Sequence, residues 1–245
     1  FLQSWQLRDL VQKYSDFVGH PIEMVAEKEE PKEGEEPKAE EPAFEAINQA
    51  RALWQRPRSE ITDEQYKDFY KHLTNDWEEP LAWAHFKVEG SQEFTGLLYL
   101  PRRPPFEMDT PGEGRRGVKL FVKRVFIMDN CDALVPLWLR FVRGLIDSDD
   151  LPLNVSRETL QDSAVVRAIK KQVAKKTLDR LDELAKDSPA DYATFWAQFG
   201  KVVKEGLHLD YEYRERLGNL VRFESSHGDG ITSLAGSATA FTRAG

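Results

Sequence analysis

Two hydrophobic periods divide this chain and limit what it can fold into. In 118–128, VKLFVKRVFIM, the apolar Val118, Leu120 and Val122 alternate with Lys119 and Lys123, the period of a half-buried strand. Further on, Val166, Ile169, Val173, Leu178, Leu181 and Leu184 recur at helical spacing, which buries one stripe of a long helix. The first period predicts strands at 84–88 and 93–100, parted by a turn containing Gly90, and at 118–128, where the alternation slips near Arg124 as at a bulge. The second predicts a helix running from the segment LPLNVSRETLQ, 151–161, to about residue 185, then helices around 192–204 and 211–223.

Shorter signals fill in the rest. Residues 1–18 place Leu2, Leu7, Leu10, Val11, Tyr14 and Val18 at helical spacing, ended by Gly19, and 21–26 is a short strand candidate. In SEITDEQYKDFYKHL, Thr62 caps a helix, Gln65 completes a capping box, and Tyr66, Phe69, Tyr70 and Leu73 share a face. A shorter helix is expected within 132–145, with Leu134, Leu137, Trp138, Phe141 and Leu145 apolar. Strands give way to helices alone, the order of a layered α/β unit with a helical appendix. The expected divisions are a core at 1–186, a small helical unit at 187–224, and a flexible or non-native tail at 225–245, rich in Gly, Ser, Thr and Ala.

Charge narrows the function. The net charge is -8. Residues 26–43 hold eight Glu and three Lys among prolines, a composition that cannot bury a core and predicts a disordered acidic loop. An acidic chain is poorly suited to displacing counterions from nucleic acid. The basic run RAIKKQVAKK, 167–176, sets its lysines mostly opposite Ile169 and Val173, as a solvated face. A single cysteine, Cys131, forbids an internal disulfide and points to a reducing cytoplasmic compartment. No apolar run approaches the length of a membrane span. The chain starts at Phe1 inside an amphipathic pattern, which suggests a piece of a longer protein.

Self-sufficient catalysis finds no support. The five histidines, His20, His72, His85, His208 and His227, are scattered without metal-ligand spacing, so no metal site is expected. There is no nucleophile elbow, P-loop or GxGxxG. Trp54, Trp138 and Trp196 fall on apolar patterns and belong to the core. Trp77, in NDWEEP, is equally compatible with core packing and with an exposed partner surface. Arg157 presents a sharper question. Ser156 is a good N-cap, so Arg157 would stand at the positive end of a helix, where a cation is disfavoured. Either Asp147, Asp149 and Asp150 offset it, or it points at an anion such as a phosphate.

The segments KRVFIMDN, FVRGLIDSDDLPLNVSRETLQ, ITDEQYKDFYKHLTNDWEEPL and LLYLPRRPPF resemble the middle segment of the ninety-kilodalton heat-shock protein chaperones, the bacterial branch above all. The resemblance runs from residue 1 to about 226 and is most specific in DLPLNVSRETLQ. It implies an α/β/α sandwich followed by a small helical unit, in a protein that also has an N-terminal ATP-binding domain and a C-terminal dimerisation domain. It implies that Arg157 reaches the γ-phosphate of ATP, with Mg, held by the N-terminal domain. Asn154 and Gln161 would belong to a polar cluster that orients the loop or contacts the nucleotide, and Phe126 would support docking of that domain. Trp77 and Phe106 would contribute to a surface for unfolded client proteins. By itself the segment would be monomeric and hold no nucleotide, whereas the whole protein would be a homodimer. The competing expectation is an interaction scaffold with no nucleotide role. An RNA-binding α/β domain is disfavoured by the acidic balance.

Overall fold

The computed structural model describes residues 3–26, 43–104, 117–154, 160, 163–224 and 231–233. The acidic segment expected to be disordered, Arg157, Gln161 and Phe106 lie outside the described residues.

A five-stranded mixed sheet forms the centre: β3 (Ala82–Val88), β4 (Phe94–Leu100), β5 (Val118–Val122), β6 (Val125–Met128) and β7 (Arg143–Ser148), in the order β3-β4-β7-β5-β6. Strand β7 pairs antiparallel with β4 and parallel with β5. Strict alternation sends side chains to two separate cores. Leu97 and Tyr99 of β4, Phe121 of β5 and Leu145 of β7 face α2 (Asp63–Thr74), with Trp54 and Phe17. Leu98, Leu100, Val118, Leu120, Val122 and Ile146 face the other way. There they meet α3 (Ala164–Asp187), α4 (Pro189–Leu209) and α5 (Arg214–Leu220). The result is the α/β/α layering that the resemblance implies.

The α2 helix forms for the reasons its sequence contains. The Thr62 hydroxyl accepts from the Gln65 amide at 3.3 Å, and the Gln65 side chain accepts from the Thr62 amide at 3.1 Å, so two orphan donors are satisfied reciprocally. Tyr66, Phe69, Tyr70 and Leu73 are buried. Trp54, Trp138 and Trp196 are also buried. In β7, Gly144 has φ +136°, and a Cβ there would lie 2.1 Å from the Leu97 carbonyl oxygen; only glycine lets β4 and β7 approach this closely.

Several elements differ from their sequence pattern. The run 118–128 is not one bulged strand. It is a hairpin whose two turn residues, Lys123 and Arg124, have φ 52° and 67°, and its irregular register lies at Leu120/Phe121. The helix expected within 132–145 is replaced by two 3-10 turns, Asp132–Leu134 and Leu137–Leu139, and then by β7. Pro136 at the start of the second turn favours this break. The long helix begins only at Ala164, where the Ser163 hydroxyl caps it. Instead of one helix at 211–223 there is a 3-10 turn, α5 and the strand β8 (Arg222–Glu224). Within the segment expected to be a tail, β9 (Ile231–Ser233) pairs with β8. The N-terminal α1 (Ser4–Tyr14) has no buried residue despite its apolar spacing. The strands β1 (Glu23–Val25) and β2 (Phe44–Ala46) pair on either side of the acidic segment.

One buried polar group gives the α2 layer a pH dependence. His85 lies between the Tyr66 hydroxyl, 2.8 Å from Nδ1, and the Trp54 carbonyl, 2.9 Å from Nε2. A carbonyl only accepts, so Nε2 carries the proton and Nδ1 accepts from Tyr66. Burial pushes the His85 pKa below its ordinary 6.5. The folded state then binds fewer protons than the unfolded one, so this stability is present above the ordinary value and is lost progressively as pH falls from there to the lowered folded one. Asp16, whose carboxyl burial pushes up, acts in the opposite sense at lower pH. Urea midpoints should fall between pH 7.5 and 5.5, a window chosen about one unit either side of the ordinary histidine value. His85→Gln, which can still accept from Tyr66 and donate to Trp54, should flatten that slope. An unchanged slope in the variant would remove His85 as its source.

Candidate functional site

The segment carrying Arg157 leaves the sheet at the C-terminal end of β7, and its described ends are held firmly. The buried Ser148 hydroxyl accepts from the amides of Asp150 and Leu151, both at 3.3 Å. The Asp149 amide donates to the Glu93 carbonyl at 3.1 Å, and the Glu93 amide donates back to the Asp150 carboxylate at 2.6 Å. Leu151 and Leu160 are both buried in the core on the α3 side. The Ser163 amide donates to the Leu160 carbonyl at 3.3 Å. Between these anchors Asn154 is exposed.

The β5–β6 hairpin meets the same root. The Lys123 amide donates to the Ser148 carbonyl at 3.2 Å, and the Arg124 amide donates to Asp147 Oδ1 at 3.0 Å. The other Asp147 oxygen accepts from Trp54 Nε1 at 2.8 Å and from Gln55 Nε2 at 3.1 Å. Asp147 is only 2% exposed, and all three partners are donors, so the carboxylate is satisfied as an acceptor. A non-glycine residue in the left-handed region costs roughly 1–2 kcal/mol. The turn has two such residues in sequence, held down by hydrogen bonds to Asp147 and Ser148.

Phe126 stands on the edge strand β6. It is half-buried, with Phe121 at 5.6 Å and Tyr14 at 5.8 Å between ring centroids, both edge-on. The structure therefore joins the Phe126 hairpin to the base of the Arg157 segment, a link with no sequence signal except the two residues' positions in the same resemblance. Asp147, considered from sequence only as a countercharge for Arg157, has both oxygens engaged with Trp54, Gln55 and Arg124. Its signal was a carboxylate directly after the apolar pair Leu145–Ile146.

Trp77 lies elsewhere, in the turn after α2, and is 94% exposed. Its neighbours explain this. Asp76 accepts from the buried Tyr70 hydroxyl at 2.9 Å and from the Glu78 amide at 3.1 Å, while Glu78 pairs with Arg103 at 3.0 Å. Burial, with the hydrogen bond to Asp76 second, pushes the Tyr70 pKa up. With Asp76 held toward the buried Tyr70 and Glu78 paired at the surface, the indole faces solvent. Beside it runs a groove of about 650 Å³ lined by Tyr70, Pro101, Arg103, Lys119 and Arg143. Among the described residues no cluster of three metal-ligating side chains occurs, and no helix is long and apolar enough to cross a membrane.

A mixed sheet between an α2 layer and a helical part, with an anchored segment leaving its central strand, is the fold of an Hsp90-type middle domain. The solved middle domain of a Plasmodium falciparum heat shock protein matches with a TM-score of 0.69 at 32% identity, over 77% of this chain and 73% of that one. A family described as Hsp90 protein matches residues 37–241. The chaperone protein HtpG of Myxococcus xanthus is 61% identical over 96% of this chain, and that of Bordetella pertussis 52% identical over 92%. The chain belongs to the Hsp90 family, as the middle segment of its bacterial HtpG branch, and spans 35% of the length of these relatives.

Trp77→Ala should change folding stability by less than about 0.5 kcal/mol, as at other exposed positions. Chemical denaturation checks this, and a larger loss would mean that the indole packs in solution.

Proposed function

We propose that this chain is the middle segment of an ATP-driven chaperone and lends an arginine to hydrolysis that takes place in a separate N-terminal domain. The observation that carries the reading is the segment after β7, fixed at Ser148–Leu151 and again at Leu160–Ser163, with Asn154 exposed between. A guanidinium that must meet a phosphoryl group on another domain needs such a rigid base, because a small misplacement costs much of its effect. Arg157 supplies a planar, permanently charged donor to the γ-phosphate oxygens. Asn154 and Gln161 complete the polar cluster, and Phe126 supports docking. The nucleotide and its Mg belong to the N-terminal domain, so this chain's part is to orient the donor. Making the donor arrive with docking ties hydrolysis to the conformational cycle, as an arginine finger does.

Trp77 and Phe106 contribute to a client surface. An exposed indole beside a groove lined by both acids, Glu78 and Asp129, and bases, Arg103 and Lys119, suits weak contact with partly folded chains. The whole protein works as a cytoplasmic homodimer whose partners are its own N-terminal domain and its clients.

In the full-length protein, Arg157→Ala should lower ATP turnover by about 10- to 1000-fold, which is roughly 1.4–4 kcal/mol of transition-state stabilisation. ATP affinity should barely change, and Arg157→Lys should rescue little because an ammonium lacks the planar fork. Steady-state turnover with calorimetric ATP binding tests this. Near-normal turnover in Arg157→Ala would take the residue out of the mechanism, and a large drop in melting temperature would make it structural.

A further inference from the structure

We propose that Asp147 is a positioning residue for the arginine segment: its buried carboxylate clamps the strained Lys123–Arg124 turn and the Trp54 turn to the strand from which that segment emerges. The inference rests on the reading of Arg157 above. Three observations carry it. First, Asp147 is a buried carboxylate whose described partners are three neutral N–H donors, from Trp54, Gln55 and the Arg124 backbone. A purely structural strand end would be filled more simply by an apolar side chain, as Leu145 and Ile146 fill the middle of β7. Second, the clamped turn is strained. Asn-Gly or Asp-Gly is the usual choice where both residues of a hairpin turn have positive φ, yet Lys123 and Arg124 hold φ 52° and 67°. Persistent strain of this kind marks a place where the surroundings over-determine the backbone. Third, the clamp acts where position matters. Asp147 and Ser148 are consecutive, one holding the Arg124 amide and the other the Lys123 amide. Ser148 also shapes the next turn through the Asp150 and Leu151 amides.

The chemistry is geometric. Oδ1 fixes the hairpin that carries Phe126, and Oδ2 fixes the Trp54 turn against the α2 layer. A domain docked through Phe126 would then meet the base of the Arg157 segment at a set distance. Asp147→Asn keeps the size of the side chain but gives one of these two sites an N–H pair facing N–H donors, so one arm of the clamp opens.

The test is made in the full-length protein. Asp147→Asn should lower kcat for ATP by about 10- to 100-fold with KM for ATP unchanged, the split expected when alignment is lost and nucleotide binding is not. The relaxed turn K123N/R124G takes positive φ without strain. In that background the same Asp147→Asn change should cost less than about threefold, since the two sites share one interaction. An unchanged kcat in Asp147→Asn, or an equal loss in both backgrounds, overturns the proposal. If Asp147→Asn does not fold, Trp54→Phe removes the Oδ2 donor and keeps most of the ring; it should lower kcat with KM unchanged, and wild-type kcat there overturns the proposal. Amide hydrogen exchange separates this from the arginine reading. Normal turnover in Arg157→Ala removes that reading alone, whereas Asp147→Asn should still speed exchange at Arg124, Asp150 and Leu151 and leave α3 unchanged. Unaltered exchange at Arg124 overturns the clamp whatever Arg157 does.

Discussion

The burial of β7 on both faces sets everything around it. All six residues, Arg143–Ser148, are buried, the strand lies between β4 and β5, and Gly144 removes the one Cβ that would hold β4 away. Such a strand cannot slip by one residue without exchanging Leu145 and Ile146 between two separate cores. Each of those side chains contributes about 1.5–3 kcal/mol by its burial, so a slipped register would sacrifice several such contributions at once. The place where the chain leaves β7 is therefore as fixed as the sheet itself.

How much of this could be read in the sequence varies with the physics involved. The alternation in β4 and β5, the Thr62–Gln65 capping box and the α2 face all come from local period and local hydrogen bonding, which the sequence states directly. The hairpin at Lys123–Arg124 was hidden because its residues are the wrong ones for its geometry; without Asn or Gly, a bulge is the natural reading of a slipped alternation. The stretch 132–142 was hidden because Leu134, Leu137, Trp138 and Phe141 have helical spacing, while Pro136 and the approach of β7 allow only two 3-10 turns. Trp77 could be narrowed to two options but not settled, since its exposure depends on the buried Tyr70 hydroxyl holding Asp76 inward. Arg157 was ambiguous from its residues, and only the family resemblance gave it a role. Asp147 was legible only as a charge. Nothing in a sequence separates a carboxylate satisfied by three N–H groups from one facing water.

The N-terminal α1 isolates the difference between propensity and burial. Its spacing is helical, yet Trp5, Leu7, Leu10 and Tyr14 are all substantially exposed. An 11-residue helix is short of the roughly 12–15 residues at which isolated helices become marginal in water. Its described attachments include Arg8 paired with Glu45 of β2 and Tyr14 against Phe126, and just beyond it Phe17 enters the α2 core and Asp16 accepts from the Gln49 amide. The family match begins at residue 37, beyond α1. The amphipathic pattern thus states that a face should be covered, yet among the described residues Trp5, Leu7 and Leu10 of that face stay exposed.

The two cores on either side of the sheet are mechanically distinct, and the root of the arginine segment is tied to both. Trp54, which holds Asp147, packs with Phe17, Phe69 and Phe121 in the α2 core. Leu151 and Leu160 pack with α3 and α4 in the other core. Close-packed interiors transmit displacement rather than absorb it, so a shift of either layer against the sheet reaches the segment at its base. The α2 layer also carries Trp77 at the end of its helix, with Tyr70 linking Asp76 to the buried Tyr99 ring. Tyr99 in turn donates to the Tyr66 carbonyl. The turn that carries the exposed indole and the Trp54 ring that holds Asp147 thus both rest on the α2 core.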